Sequence, residues 1–445
     1  MKIIVSSLII LTLVAMIAWA PGAHSLKNQD QNLHFNSSYQ NYFAPKTFFI
    51  DSNLLVQAKK IFQSNESKGP FGQEVTRLIQ EAETYLKIKP TSVMDKDEVP
   101  PSGNKHDFLS LTPYRWPNPN TQSGLPYVFR DGKTNPEVYK IPDKNNLDDM
   151  IVETKILSLA YYFTDNPEYA KKAAELLRVW FLDNDTRMNP NLQFSEMIRG
   201  KSEPNPSGVI AGAYIPHLFD AISIIENSSS WTSADKEGIK NWFNKYLEWL
   251  LSSEAGKLES MKINNHGTYY DVQVASVALF LNKQDLVKKV LQNIVQMPIL
   301  SGFRNTPQLL SVKITPEGKQ PFELSRANSL DYSMFNLIGF FNLAQIGEHV
   351  GLNLWDYKTS EGAGLRKALD YLLPYFMQDK TWPYEQQDTF RKEYVQSLLC
   401  MASITYDQDN NNNQTYFSFY KSLDAIKIPL GMDNYGICVK NPSHQ

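Results

Sequence analysis

The sequence predicts an all-α protein, on three observations. Apolar residues recur at helical spacing through most of the chain, alternating strand patterns are scarce, and two segments are apolar nearly all round. Amphipathic helices around such an inner pair imply two layers. Helical hairpins joined by short loops and closed into a ring satisfy this, as an α/α toroid or incomplete barrel of hairpins. No self-similar repeat of fixed period points to an extended array instead.

The elements follow in order. Lys2 precedes an apolar stretch from Ile3 to Trp19, broken only by Ser6, Ser7 and Thr12. Pro21-Gly22 ends any helix there, and Ala23-His24-Ser25 offers small residues for cleavage. The stretch falls short of the ~20 residues a membrane span needs, so residues 1–25 read as a signal peptide. No other long apolar run is evident, so the mature chain, 26–445, is expected to be a secreted, soluble, single toroid domain. Residues 26–50 read as an extended polar lead-in.

Val75, Leu78, Ile79, Ala82, Tyr85 and Leu86 mark one amphipathic helix. Ala170, Ala173, Ala174, Leu177, Trp180 and Phe181 mark a second, with Asn166-Pro167 as N-cap and first helical residue. Ile239, Trp242, Phe243, Tyr246, Leu247 and Leu250 mark a third, started by Thr232. The two all-apolar helices run from about His266 to Leu281 and from about Leu330 to Ile346, and are expected to be buried on every side. Two long irregular stretches, 98–145 and 297–325, carry Pro, Gly and aromatics; loops of that length usually serve function. The polar run Asp407 to Asn413 reads as a solvated insertion.

The chain has 445 residues, 42% hydrophobic and 20% charged, with a net charge of -3. That balance gives no reason to expect nucleic acid, and an acidic ligand would need a local basic cleft. Sequons at Asn36, Asn65, Asn184, Asn227 and Asn413 agree with export and are candidate glycosylation sites. The two cysteines, Cys400 and Cys438, fit either a disulfide or two buried thiols.

Some motifs fail on inspection. Gly200-Lys201-Ser202 ends like a phosphate loop, but Ser195 stands where its first glycine belongs. Asp407, Asp409 and Asn411 start like a calcium loop, but Asn412 and Ser418 replace its glycine and bidentate glutamate. The seven histidines are dispersed without zinc spacing, so no metal or cofactor is expected.

Polar groups lead directly into both buried helices. Asn264-Asn265-His266 through Asp271 opens one, and Glu323-Leu324-Ser325-Arg326, then Tyr332, opens the other. Capping explains part of this: Asn265 or Asn328 can satisfy helix N–H groups, and Arg326 can pair with Glu323. Their co-occurrence with two long loops favours a site.

Several ordered motifs resemble the alginate lyase family over roughly residues 100–380. They are Tyr114-Arg115-Trp116-Pro117-Asn118-Pro119, Gly124-Leu125-Pro126-Tyr127, Asp131-Gly132, Asn135-Pro136 and Met188-Asn189-Pro190-Asn191-Leu192. Asn265-His266, Pro316-Glu317-Gly318 through Gln320-Pro321 to Arg326, and Tyr332-Ser333-Met334-Phe335-Asn336-Leu337 complete the series. The resemblance implies a toroid with a cleft across its mouth and metal-independent β-elimination on a uronate polymer, with Asn265, His266, Arg326 and Tyr332 at the reacting centre. The arginine-to-tyrosine spacing is one residue shorter than in the best-studied members. Phe194-Ser195-Glu196 stands where many carry Tyr-Ala-Gln.

These residue types suit elimination, which removes the proton beside the uronate carboxylate and expels the oxygen at C4. Asn265 and His266 can donate hydrogen bonds to that carboxylate, aided by a helix N-terminus. The same field disfavours imidazolium, so His266 is expected to be largely neutral. Tyr332 serves as base and acid if Arg326 lowers its pKa from ~10 to near 8. Alternatively His266 is the base and Tyr332 the acid. Tyr114 and Trp116 are candidates for stacking on sugar; His106, Asn191, Glu196 and Arg199, with Arg115 and Lys201, are candidates for further substrate contacts. A hydrolase would instead use a carboxylate pair from Asp148, Asp149, Glu196 or Asp271, and a binder of acidic glycans would keep the cleft without turnover.

Overall fold

A computed structural model describes residues 42–64, 70–295, 310–407 and 416–422. Residues 1–25, expected to be a signal peptide, together with Asn36, Asn65, Asn413, Cys438 and the first part of the 297–325 loop (297–309), lie outside the described residues.

The fold is a helical toroid with two small two-stranded sheets. Helices α1 (Ser52–Gln63) and α2 (Pro70–Tyr85) precede the hairpin of α3 (Asp143–Thr164) and α4 (Pro167–Phe181). Then come α5 (Leu218–Ile225), α6 (Ser233–Ser252), α7 (Glu254–Ser260), α8 (Asn265–Phe280) and α9 (Gln284–Val295). Short α10 (Leu310–Lys313) and α11 (Pro321–Leu324) lead to α12 (Ser329–Glu348), α13 (Leu365–Phe376), α14 (Lys392–Tyr406) and α15 (Tyr416–Ser422).

Local chemistry sets the boundaries. The Asn166 side chain accepts from the Glu168 N–H at the start of α4, with Pro167 as first helical residue. Thr232 and Asp235 form a reciprocal capping box on α6. Asp165 takes a left-handed conformation and turns α3 into α4.

Helices α8 and α12 form the buried pair that the sequence predicts. Nearly every side chain of both is enclosed. They meet through Tyr269 stacked on Phe335, ring centres 4.0 Å apart, and through Thr268 donating to Asn336 Oδ1 at 2.7 Å. Phe181, Phe219, Trp242, Phe243 and Phe280 interlock beneath the outer helices, with Phe219 stacked on Phe280 at 4.6 Å.

Three expectations need correction. The end of the lead-in is core: Phe48, Phe49 and Ile50 are buried, and their N–H groups converge on the buried Asp220 carboxylate. The 98–145 stretch contains short paired strands: β1 (Leu109–Leu111) runs parallel to β4 (Phe194–Met197), and β2 (Arg115–Trp116) antiparallel to β3 (Val128–Phe129). Pro206–Ile225 is long and apolar enough to cross a membrane by composition, but it is mostly buried inside the protein. It is a core segment that includes α5.

Cys400 is buried in α14. Asn184 and Asn227 are exposed.

Candidate active site

Both inner helices begin at one open cavity of about 650 Å³. Asn264, Asn265 and His266 reach it from α8, and Asn328, Asp331, Tyr332 and Phe335 from α12. Tyr114, Arg115, Phe129 and Asp131 come from the first long loop, Glu196 from β4, and Arg391 and Tyr394 from the start of α14.

The two helix starts are held by long-range bonds. Asn264 and Asn328 occupy the N-cap positions without a side-chain cap bond. The buried Glu323 carboxylate instead accepts the Asn265 backbone N–H and its Nδ2 amide, each at 2.7 Å. Lys313 Nζ donates to Thr268 Oγ1 at 2.7 Å, and Gln320 bridges Asn336 and the Ser333 carbonyl. The positive end of α8 therefore already faces a protein carboxylate, and one Asn265 amide proton is committed to it. Asn264 Oδ1 is buried without a hydrogen-bond partner among the described residues.

His266 Nδ1 lies 2.7 Å from Oε1 of Glu259, which is fully buried at the end of α7. A carboxylate only accepts, so Nδ1 carries the proton and Nε2 is left for the cavity. Burial disfavours the imidazolium, but Glu259, with Glu196 behind it, outweighs burial and raises the histidine above its ordinary pKa. The direction is opposite to the one the helix field alone predicts: the local carboxylate overrides that field.

Arg326 does not pair with Glu323. Its Nε and Nη2 clamp Asp131 at 2.9 and 2.6 Å, and Asp131 also accepts the Ala327 N–H at 3.0 Å. This approach needs Gly132, whose φ is +71° and whose added Cβ would lie 3.0 Å from Ala327 Cβ. The Arg326 Cζ sits 3.7 Å from the Tyr332 ring centre.

Tyr332 Oη is 2.9 Å from Tyr114 Oη. Burial and then Tyr114 raise its pKa well above the ordinary phenol, against a smaller lowering by Arg326. The expected lowering towards 8 is therefore corrected. Arg326 covers the ring face, and its charge is already spent on Asp131.

Glu196 is held at a left-handed φ of +50°, uncommon for a residue with a side chain. Its N–H donates to Ser110 Oγ at 2.8 Å and its carbonyl accepts from Asn205 Nδ2 at 3.0 Å. Gly208 lies tightly against Ser195, where a Cβ would come within 2.2 Å of the Ser195 carbonyl oxygen.

Asn265, His266, Arg326, Tyr332, Tyr114 and Glu196 thus share the cavity, as does Arg115. The other five named positions, Lys201 among them, do not line it. His106 Nδ1 contacts the Arg187 carbonyl at 2.7 Å. Trp116 donates to the Lys133 carbonyl at 2.7 Å under Arg130. Asn191 donates to Asp107 at 3.1 Å, and Arg199 pairs with Glu98 and Glu137. Of the hydrolase carboxylates, only Glu196 lines the cavity; Asp148 pairs with Lys144, and Asp149 and Asp271 lie elsewhere on α3 and α8.

Sequence reasoning missed Glu259, Arg391 and Tyr394. Glu259 carries no local signal, since one glutamate on a polar-looking helix resembles any solvated residue. Asp131 and Glu323 stood within noted motifs, but their partners are visible only in three dimensions.

An open cleft at the mouth of a helical toroid, lined by a histidine–carboxylate pair and an arginine-covered tyrosine, defines a polysaccharide lyase of the toroid type. The alginate lyase family matches residues 92–383, and the chain belongs to that family. It is similar to the crystal structure of an alginate lyase from Bacteroides ovatus, at 33% identity and TM-score 0.75, covering 88% of this chain and 98% of that one. Alginate lyase A1-III from Sphingomonas species A1 shows 14% identity and TM-score 0.43 over 76% of this chain and 90% of that one. No curated protein matches the sequence significantly.

Proposed function

We propose that this protein is a secreted, metal-independent lyase that cleaves alginate or a related uronate polysaccharide by β-elimination. The observation that carries the reading is the pairing of His266 with buried Glu259 in the same cavity as the neutral phenol of Tyr332.

His266 Nε2 is the proton acceptor this arrangement supports, with Glu259 fixing its orientation. As the C5–H bond breaks, its electron pair forms the C4–C5 double bond and the C4–O bond breaks. The departing oxygen takes the Tyr332 phenolic proton, and Tyr114 is placed to replenish it. Arg326, fixed by Asp131, holds the phenol ring in position. No step requires a metal to supply the base or the acid. The leader at 1–25 and the exposed sequons at Asn184 and Asn227 support export.

The test is a panel of polymannuronate, polyguluronate, polyglucuronate and a neutral glucan, with and without chelator. Ultraviolet absorbance of unsaturated uronate from an acidic polymer, unaffected by chelator, is the expected result. New reducing ends without absorbance would indicate hydrolysis, and binding without turnover would indicate a glycan-binding protein. N-terminal sequencing of exported protein checks cleavage near Ser25.

A further inference from the structure

Glu196 lines a cleft that would take a uronate carboxylate, and its side-chain carboxyl makes no hydrogen bond or ion pair with any described residue. On charge alone it should repel a uronate. Its placement is nonetheless enforced: the strained φ of +50°, the Ser110 and Asn205 bonds and the close fit of Gly208 all fix the strand end that carries it. An unpartnered acidic group held at such cost to the backbone needs a chemical reason.

We propose, building on the lyase reading, that Glu196 works as a neutral carboxylic acid that donates a hydrogen bond to the uronate carboxylate as that group gains charge. When the C5 proton leaves, the uronate carboxyl becomes an enolate-like dianion, and a donor aimed at it stabilises charge where it develops. An un-ionised acid whose carboxyl is partly shielded from water can perform this role at neutral pH. Glu196 keeps its proton throughout; the C5 proton goes to His266, and the leaving oxygen takes its proton from Tyr332.

The surroundings favour the protonated form. The charged groups around Glu196 are Glu259 of α7, His266 of α8 and Lys144 of α3. Glu259 already takes the one nearby imidazole at 2.7 Å, and Lys144 is drawn to Asp148. Burial, reinforced by Glu259, pushes the Glu196 carboxyl up to about 7, against the pull of His266 and Lys144. A bound uronate adds a further negative charge and strengthens proton retention.

The experiment compares full-length wild type, Glu196→Gln and Glu196→Ala on the preferred polymer across pH 5 to 9. Glutamine keeps a donor but cannot ionise. Wild-type kcat/KM should fall on the alkaline side by about tenfold per unit once Glu196 ionises. Glu196→Gln should lose no more than about tenfold at pH 6 and lack that alkaline fall, while Glu196→Ala loses about a hundredfold or more. An unchanged alkaline limb in Glu196→Gln would overturn the inference, as would a glutamine variant as inactive as the alanine one, which would make Glu196 a base. In either case wild-type lyase activity stands. Wild type that releases no unsaturated product from any uronate polymer would instead overturn the lyase reading, and this inference with it.

Discussion

The Arg326 guanidinium lies face-on over Tyr332, its Cζ 3.7 Å from the ring centre. A cation in that position is attracted to the π-face. It does little for a phenolate oxygen at the ring's far edge, and Asp131 already neutralises it. The pair therefore fixes where the Tyr332 hydroxyl points and leaves it a neutral donor. Removing that hydroxyl should leave the stack intact. Tyr332→Phe is expected to keep the wild-type Tm within a few degrees while lowering kcat by about 10²–10⁴-fold, measured as unsaturated product by absorbance. Retained activity would remove Tyr332 from the chemistry.

Glu259→Gln tests the positioning of His266. Glutamine is nearly isosteric, but it removes the charge that raises the imidazole pKa. The acid limb of kcat/KM, where His266 must lose its proton, should move to lower pH. A merely structural Glu259 would lower Tm without moving the limb.

Asp131→Ala should release Arg326 and leave a half-buried charge unpaired. A loss of about 1–3 kcal/mol in unfolding free energy is expected, with kcat lowered because Tyr332 loses its support. Partial burial of Asp131 raises its carboxyl, yet its bonds to Arg326 outweigh this and hold it below the ordinary value. Its folded pKa is thus lower than its unfolded one. The stabilisation is present above pH ~4 and is lost as pH falls through the folded pKa. Urea titrations at pH 7 and pH 3 should show the wild-type advantage shrink.

Glu153 gives the opposite sign. Burial and Asp149 push its carboxyl up to about 8, against Lys172. The folded state keeps a proton that the unfolded state releases near pH ~4.3, so stability falls as pH rises from there to about 8. Glu153→Gln should have the higher Tm at pH 8, with the difference vanishing near pH 4.

Phe243 is fully buried among Phe181, Phe219, Trp242 and Phe280. Phe243→Ala should destabilise by about 3–5 kcal/mol through the cavity it leaves, read from urea unfolding, with KM little changed in the protein that remains folded.

The sequence by itself determined the helical layers. The spacing of Ala170 to Phe181 and the apolar runs after His266 and Leu330 encode which faces are buried, because helix periodicity is a local property of the chain. It also determined that Asn265, His266, Arg326 and Tyr332 stand at the starts of buried helices. Only the tertiary structure decided their partners. Glu259 reaches His266 from a different helix, Asp131 reaches Arg326 across 195 residues, and Tyr114 meets Tyr332 across 218. Those distances decided ionisation. From local sequence alone, the helix terminus disfavours the imidazolium and the arginine lowers the tyrosine; the folded chain brings a carboxylate to the first and encloses the second. Charge acts through space, so proton affinities are set by neighbours that chain order does not reveal.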